Sequence, residues 1–311
     1  MKKILILITL LLSQTVQLLS SEKKIEILFI VNQNIISNVD IINEAKYLRA
    51  LNKGLQNLSV DEILKFAKNS LLKEMIKKDE IEKFYTLNYS SNEVDKYIER
   101  LFKGLGFNNF KEFEDYLLQN DIQVERLRKK LIIEKTWNNL IYEIYNKKIV
   151  INENEILENL EEFVKTKSFQ KSYKLAEIVF FEKNKNDYEK KYKEIIDDID
   201  KLGFNEAAVI HSISDTSRIG GEIGWINQSQ ISKKIYNQIK DLQVGEYSDP
   251  IISAGGSMIL KINEIKDVMN DQIDKELELS NMMKSERNRQ LKEYSIIHFK
   301  KIENNSYVKQ I

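Results

Sequence analysis

The chain has 311 residues, enough for two domains, and its 48 basic and 48 acidic side chains leave no formal net charge. Without a basic surplus there is no electrostatic basis for binding nucleic acid or an anionic membrane surface. The absence of cysteine excludes disulfides, thiolate nucleophiles and cysteine-ligated zinc. The two histidines, His211 and His298, are too far apart in sequence to suggest a metal site, and no cofactor is expected.

The first 21 residues have the pattern of a secretory signal peptide. Two lysines precede an apolar run from Ile4 to Leu12, and small residues end the segment at Ser20-Ser21. The alternative is a membrane anchor, but the apolar run is about half the ~20 residues that a spanning helix requires. The pattern therefore predicts export to the periplasm, with a mature chain that begins near Glu22.

Residues 22–170 are predicted to form a mostly helical domain. An apolar segment from Ile25 to Val31 indicates a strand, and Ser37 followed by Asp40 is typical of a capping box at a helix start. Apolar residues then recur at helical spacing in four further segments. Two of these begin after Ser59 and after Ser91, and the other two span Val124 to Tyr145 and Glu153 to Phe163.

The pattern changes over residues 171–266, which are predicted to form a compact α+β module. A strand from Leu175 to Phe181 precedes two helices, and a helix from Ile231 to Lys240 precedes a closing strand from Met258 to Ile262. Residues 267–311 return to helix and end in a short strand-like tail.

A glycine-rich loop divides this module. It contains three of the chain's 10 glycines, followed by a tryptophan that is expected in the core, with a place in the wall of a groove as the alternative: Gly220, Gly221, Gly224 and Trp225. Because glycine reaches positive φ without a Cβ clash, this concentration indicates a tight loop of specific geometry.

Three segments together resemble the SurA group of periplasmic chaperones. Ile30 to Asp40 resembles the start of the mature chaperone, and Tyr294 to Ile311 resembles its closing helix and strand. Between them, F-N-E-A-A, H-S-I-S-D, G-G-E-I-G-W, V-G-E-Y-S-D-P-I and G-S-M-I-L-K-I follow the order of a parvulin-type (PpiC, rotamase) peptidyl-prolyl isomerase domain. The resemblance implies an α+β fold, in which the C-terminal helix and strand complete a helical N-terminal chaperone domain beside one small parvulin-like domain.

The resemblance also implies an altered active site. Active parvulins usually pair two histidines across the sheet, beside an Asp or Cys and an apolar proline pocket. The equivalent positions here are Glu177 and Met258 for the histidines, Ser214 or Asp215 for the Asp or Cys, Ile231 and Ile235 for the pocket, and Ser253 for a Ser or Thr. A carboxyl group at Glu177 would be either protonated or solvated, and neither state restores a histidine network. We therefore expect isomerase activity to be weak or absent.

By the same resemblance, the protein would be a periplasmic chaperone for unfolded outer-membrane proteins or other extended peptides. The outer-membrane assembly machinery would be a further partner. One alternative is an active peptidyl-prolyl isomerase of the cell envelope, and another is a non-catalytic scaffold with a single dedicated partner. Neither nucleic-acid binding nor a membrane span after signal cleavage is expected.

Overall fold

A computed structural model describes residues 24–89, 92–165, 170–182, 184–268 and 274–311. The predicted signal peptide lies outside the described residues. Among the helices that are described, none combines the length and the apolar character needed to cross a membrane.

The N-terminal region is a short hairpin followed by helices. The elements are β1 (Ile27–Val31), β2 (Asn34–Ser37), α1 (Asn38–Leu51), α2 (Val60–Glu82), α3 (Asp95–Gly104), α4 (Phe110–Gln119), α5 (Val124–Tyr145) and α6 (Glu153–Lys165). Ser37 and Ser59 cap α1 and α2. In each capping box, the backbone N–H of the serine donates a hydrogen bond to an acidic side chain three residues later. The capping box predicted at Ser37 and Asp40 is confirmed.

The central and C-terminal regions contain the remaining elements. These are β3 (Gln170–Phe180), α7 (Lys185–Leu202), α8 (Phe204–His211), β4 (Glu222–Asn227), α9 (Lys233–Ile239), β5 (Ile251–Ser253), β6 (Gly256–Val268), α10 (Lys275–Asn305) and β7 (Val308–Gln310). The expected α+β fold class is confirmed. Strands β3 and β6 are longer than the sequence pattern predicted, and β4, β5 and α4 were not predicted.

The C-terminal strand completes a sheet with the N-terminal hairpin. This three-stranded antiparallel sheet has the order β2-β1-β7, with Val31 of β1 opposite Val308 of β7. Helix α10 packs beside it on α5, where the fully buried Trp137 donates its indole N–H to Ser295 Oγ at 2.8 Å. One of the two large apolar clusters of the helical region is therefore built from both ends of the described chain, and the other lies among α3, α4 and α5.

A four-stranded antiparallel sheet, ordered β4-β3-β6-β5, forms the centre of the parvulin-like module. Side chains alternate along β3, so Ile178 and Phe180 pack under α7 and α8, while Tyr173 and Leu175 face the opposite side. That opposite side carries the candidate site.

Candidate functional site

A cavity of about 560 Å³ lies between the four-stranded sheet and α10. This volume is within the range of ~300–1,000 Å³ that is typical of ligand pockets. The sheet wall is largely apolar and includes Leu175, Val179, Ile223, Ile226 and Leu260. The wall formed by α10 is mostly polar, with Ser285, Glu286, Asn288, Arg289, Lys292 and Glu293, and it ends at Ile296.

The structure brings most of the predicted site residues to this cavity. Its lining includes Glu177, Ser214, Ile231, Ile235, Ser253 and Met258. Asp215 is absent from the lining, so the structure places Ser214, and not Asp215, at the cavity. The sequence did not predict that α10 forms a wall of the same cavity, because no local pattern links residues so far apart along the chain.

Glu177 lies on β3 with only 5% of its surface exposed. The hydroxyls of Ser214 and Thr216 donate to its Oε1 at 2.6 and 2.8 Å. From the sequence, the carboxyl group of Glu177 was expected to be either protonated or solvated. The structure shows a third arrangement, in which neighbouring hydroxyls supply the hydrogen bonds of a buried acceptor. Thr216 was not predicted as a site residue, because no position of the family motif corresponds to it.

Met258 lies on the same face of the sheet as Glu177, but it does not sit directly opposite. Its cross-strand partner on β3 is Val179, and the partner of Glu177 is Leu260. The Met258 thioether is a weak hydrogen-bond acceptor and packs as an apolar group. Thus, no cross-sheet pair of imidazoles lies in the described cavity.

The remaining predicted pocket residues divide between packing and turn formation. Ile231 and Ile235 pack with Met258 in the apolar cluster on this side of the sheet. Ser253 Oγ donates to the carbonyl of Gly256 at 3.0 Å, which ties together the turn between β5 and β6. Ser253 is therefore engaged locally rather than in a network with Glu177.

Asp215 points to the helical region instead of the cavity. It accepts a hydrogen bond of 2.7 Å from Lys77 of α2, and Lys77 also contacts Glu134 of α5 at 2.9 Å. Arg218 lies 2.5 Å from Glu134 and completes the cluster. Burial acts to raise the pKa of Asp215, but the charge and hydrogen bond of Lys77 hold that pKa below its usual value. These contacts anchor the loop that carries Ser214.

A second lysine of α2 reaches the same loop. Lys73 Nζ donates to the carbonyl of Ser212 at 3.1 Å. Burial, and then the charge of nearby Lys77, lower the pKa of Lys73 to about 8. Ser212 Oγ in turn accepts from the backbone N–H of Val179 on β3 at 3.0 Å. The loop beside the cavity is thus held from both the helical region and the sheet.

The glycine loop brings the start of β4 against β3. Gly220, Gly221 and Gly224 all have positive φ, as their concentration in the sequence predicted. A Cβ on Gly221 would lie only 2.3 Å from the carbonyl oxygen of Glu177, whose N–H donates to Gly221 O at 2.8 Å. Trp225 lies outside the cavity lining, with the Lys266 ammonium 4.0 Å from its ring centre. The expectation that Trp225 lies in the core is therefore wrong, since its side chain is 40% exposed, and it does not line the observed cavity either.

The two histidines have separate structural environments. His211 Nε2 lies 2.6 Å from Asp198 Oδ2, and His298 Nδ1 lies 2.9 Å from the Tyr145 hydroxyl. Burial lowers the pKa of both histidines, and neither lines the cavity. Across the described residues, no cluster of three or more potential ligands could hold a metal ion.

Comparison with known proteins identifies the central module. Residues 163–264 match the family described as the PPIC-type PPIase (rotamase) domain. The chain is 24% identical over 160 residues to chaperone SurA of Pseudomonas putida, in an alignment that covers 48% of this chain and 36% of that protein. It is 36% identical over 61 residues to chaperone SurA of Pseudomonas aeruginosa, which covers 20% of this chain and 15% of that protein. The alignments thus span about a third or less of these curated relatives.

Solved structures with detectable similarity include two chains that align over most of their own length. One is from a study of two SurA-like chaperones of Campylobacter jejuni, with 12% identity, a TM-score of 0.35, and coverage of 92% of this chain and 98% of that chain. The other is the peptidylprolyl isomerase PrsA of Bacillus anthracis, with 21% identity, a TM-score of 0.31, and coverage of 76% and 94%. On the family match and the sequence relatives, this chain contains a PPIC-type (parvulin) domain and is homologous to the SurA chaperones.

Proposed function

We propose that the protein is a periplasmic chaperone for unfolded outer-membrane proteins, whose parvulin domain binds polypeptide without isomerising it. Support comes from the sequence similarity to SurA chaperones and from the cavity on the parvulin sheet. In this proposal residues 1–21 direct export, 22–170 and 267–311 form the chaperone domain, and 171–266 form the parvulin domain. The pairing of β1 with β7 supports this division.

The observation that carries the proposal is the chemistry of the sheet wall. Isomerisation about an X–Pro bond must cross a barrier of ~18–20 kcal/mol. An enzyme lowers that barrier only through contacts that are stronger in the twisted transition state than in the planar forms. Glu177 Oε1 already accepts two hydroxyls, and Met258 offers no comparable polar group. The wall is therefore better suited to holding a chain than to stabilising a twisted amide.

The same wall has the properties of a polypeptide-binding surface. Isoleucine, leucine and valine side chains from β3, β4 and β6 line it together with Met258. The flexible thioether of methionine adapts to side chains of different shape. The polar side chains of α10 form the opposite wall, which gives hydrogen-bonding groups to an extended backbone.

An aggregation assay tests this proposal. We expect the wild-type protein at near-stoichiometric ratio to slow aggregation of a denatured outer-membrane barrel protein. Ile235→Glu, which places a carboxylate on the apolar wall, should weaken protection, while Val244→Glu at an exposed site outside the cavity should not. Circular dichroism would first establish that both variants are folded. No protection by the wild-type protein would contradict the proposal.

A second candidate is an active peptidyl-prolyl isomerase of the envelope. The family match over residues 163–264 favours it, as does the polar network of Ser214, Thr216 and Glu177 at the cavity. In that case Glu177 would act in place of the missing histidine. A direct rate measurement separates the two candidates.

A further inference from the structure

Glu177 has a carboxylate oxygen left for a ligand. Both hydroxyl donors, from Ser214 and Thr216, go to Oε1. Among the described residues no hydrogen bond reaches Oε2, although the side chain is about 95% buried and lines the cavity. Oε2 is not one of the fully buried side-chain atoms that lack a partner, so it faces the cavity, where a ligand can supply a donor.

The surroundings of this oxygen decide which donor fits. Leu175, Val179, Ile235, Met258 and Leu260 line the same wall, so a ligand group must cross apolar surface to reach Glu177. A lysine side chain meets this requirement, because its methylene stem packs on apolar groups and its ammonium group supplies hydrogen bonds at the tip. Where the bound lysine stem excludes water, attraction between its ammonium group and a carboxylate is also stronger than it is in water.

The other charged side chains of the cavity are either paired or solvated. Arg289 donates to Glu286 at 2.8 and 2.6 Å and to Glu293 at 2.8 Å, so both carboxylates of the α10 wall already have a cation. Lys234 donates to the carbonyl of Ile252. Lys292 is exposed on α10, where solvent and salt screen its charge. Within the described lining, Glu177 is therefore the buried acceptor that remains open to a cation.

We propose that this cavity selects extended polypeptide segments in which a lysine is flanked by apolar residues, with the lysine ammonium bound at Glu177 Oε2. The inference rests on the proposed function and adds a preference within it. The position that would hold a histidine in an active parvulin thus becomes a specificity determinant for a basic side chain.

Binding of three fluorescent peptides tests this inference by anisotropy. The peptides are extended, apolar and identical except at one central position, which carries lysine, norleucine or glutamate. We expect the lysine peptide to bind the wild-type protein about tenfold more tightly than the norleucine peptide, because its ammonium group makes a charge-assisted hydrogen bond to Glu177 that norleucine cannot make. The glutamate peptide should bind most weakly, since its charge would approach Glu177.

Two variants test whether Glu177 is the residue that causes the preference for lysine. Glu177→Gln keeps the size and one acceptor of the side chain but removes its charge, so it should lose most of the difference in affinity between the lysine and norleucine peptides. Glu264→Gln is the matched control, because Glu264 lies on the same sheet, pairs with Lys174 at 2.8 Å and is outside the cavity. That control should keep the full preference.

Equal affinity for the lysine and norleucine peptides, or an undiminished preference in Glu177→Gln, would overturn the inference. The aggregation assay on the same preparations separates this failure from failure of the proposed function. Protection of the barrel protein without a lysine preference would reject only the role of Glu177. Absence of both binding and protection would reject the chaperone function as well.

Discussion

At the scale of single residues, the site depends on a close approach between two backbones. Gly221 has a φ of +78°, and its carbonyl accepts the N–H of Glu177 at 2.8 Å. The carbonyl oxygen of Glu177 occupies the space that a side chain on Gly221 would need. This contact sets the position of the start of β4 relative to β3, and hence the position of Ser214 and Thr216 just before it.

Two glycine substitutions isolate the contribution of this contact. Gly224 has a φ of +91°, and a Cβ added there would meet no atom within 4 Å, so Gly224→Ala should cost about 1 kcal/mol from backbone strain alone. Gly221→Ala adds a backbone clash, and we expect a loss of about 3 kcal/mol or more in the free energy of unfolding. Urea denaturation measures both. Equal losses in the two variants would show that the close approach contributes nothing.

The residues around the cavity could be predicted from the sequence only in part. The parvulin motifs located Glu177, Ser214, Ile235 and Met258, which all line it. Thr216 was missed because it donates a hydrogen bond to Glu177, which stands where the family has a histidine. The family motif contains no such hydroxyl. The hydrogen bonds of a residue that replaces a family residue depend on side chains outside the family motif, so the motif cannot predict them.

At the scale of elements, the junction between α2 and the loop after α8 is held by a cluster of charges around the buried ammonium group of Lys77. The Lys77 side chain is only 8% exposed and bridges Glu134 of α5 and Asp215. Such a cluster offsets the cost of burying charge only while every member keeps its partner. The junction therefore holds the loop of Ser214 firmly but is sensitive to removal of a single charge.

Substitution of Lys77 tests this junction. Lys77→Met leaves two carboxylates without their shared cation, and we expect a loss of about 2–4 kcal/mol in the free energy of unfolding. Adding Asp215→Asn should recover part of that loss, because Glu134 keeps Arg218 as its cation and the carboxylate that had lost its cation is then neutral. Lys78→Met, which breaks only a pair with Glu82 near the surface, should change stability by less than about 0.5 kcal/mol. A Lys77→Met variant as stable as the Lys78→Met control would contradict this account.

Sequence periodicity predicted the long helices but missed short elements. The segment Phe110–Gln119 is a helix that Asn109 caps, with Phe113 and Leu117 buried at a spacing of four. That spacing was present in the sequence but covers only ten residues. β4 was missed because Gly224 interrupts it, and β5 because three residues are too few to show alternation.

At the scale of the whole molecule, α10 joins the two regions. Its side chains line the cavity on the parvulin sheet through Arg289 and Glu293, and the same helix packs on Trp137 of the helical region through Ser295. No periodicity or local motif could predict this double contact, because it joins segments more than a hundred residues apart. The cavity is therefore a property of the assembled chain rather than of the parvulin module alone.

The central claim is that this assembled cavity binds polypeptide on a parvulin framework that no longer catalyses isomerisation. The most direct test is the rate of cis-to-trans isomerisation of a proline-containing tetrapeptide, measured with and without the full chain. We predict a rate indistinguishable from that in buffer, and a gain in rate for the double variant Glu177→His, Met258→His. Acceleration by the wild-type protein clearly above buffer would contradict the claim and favour the isomerase.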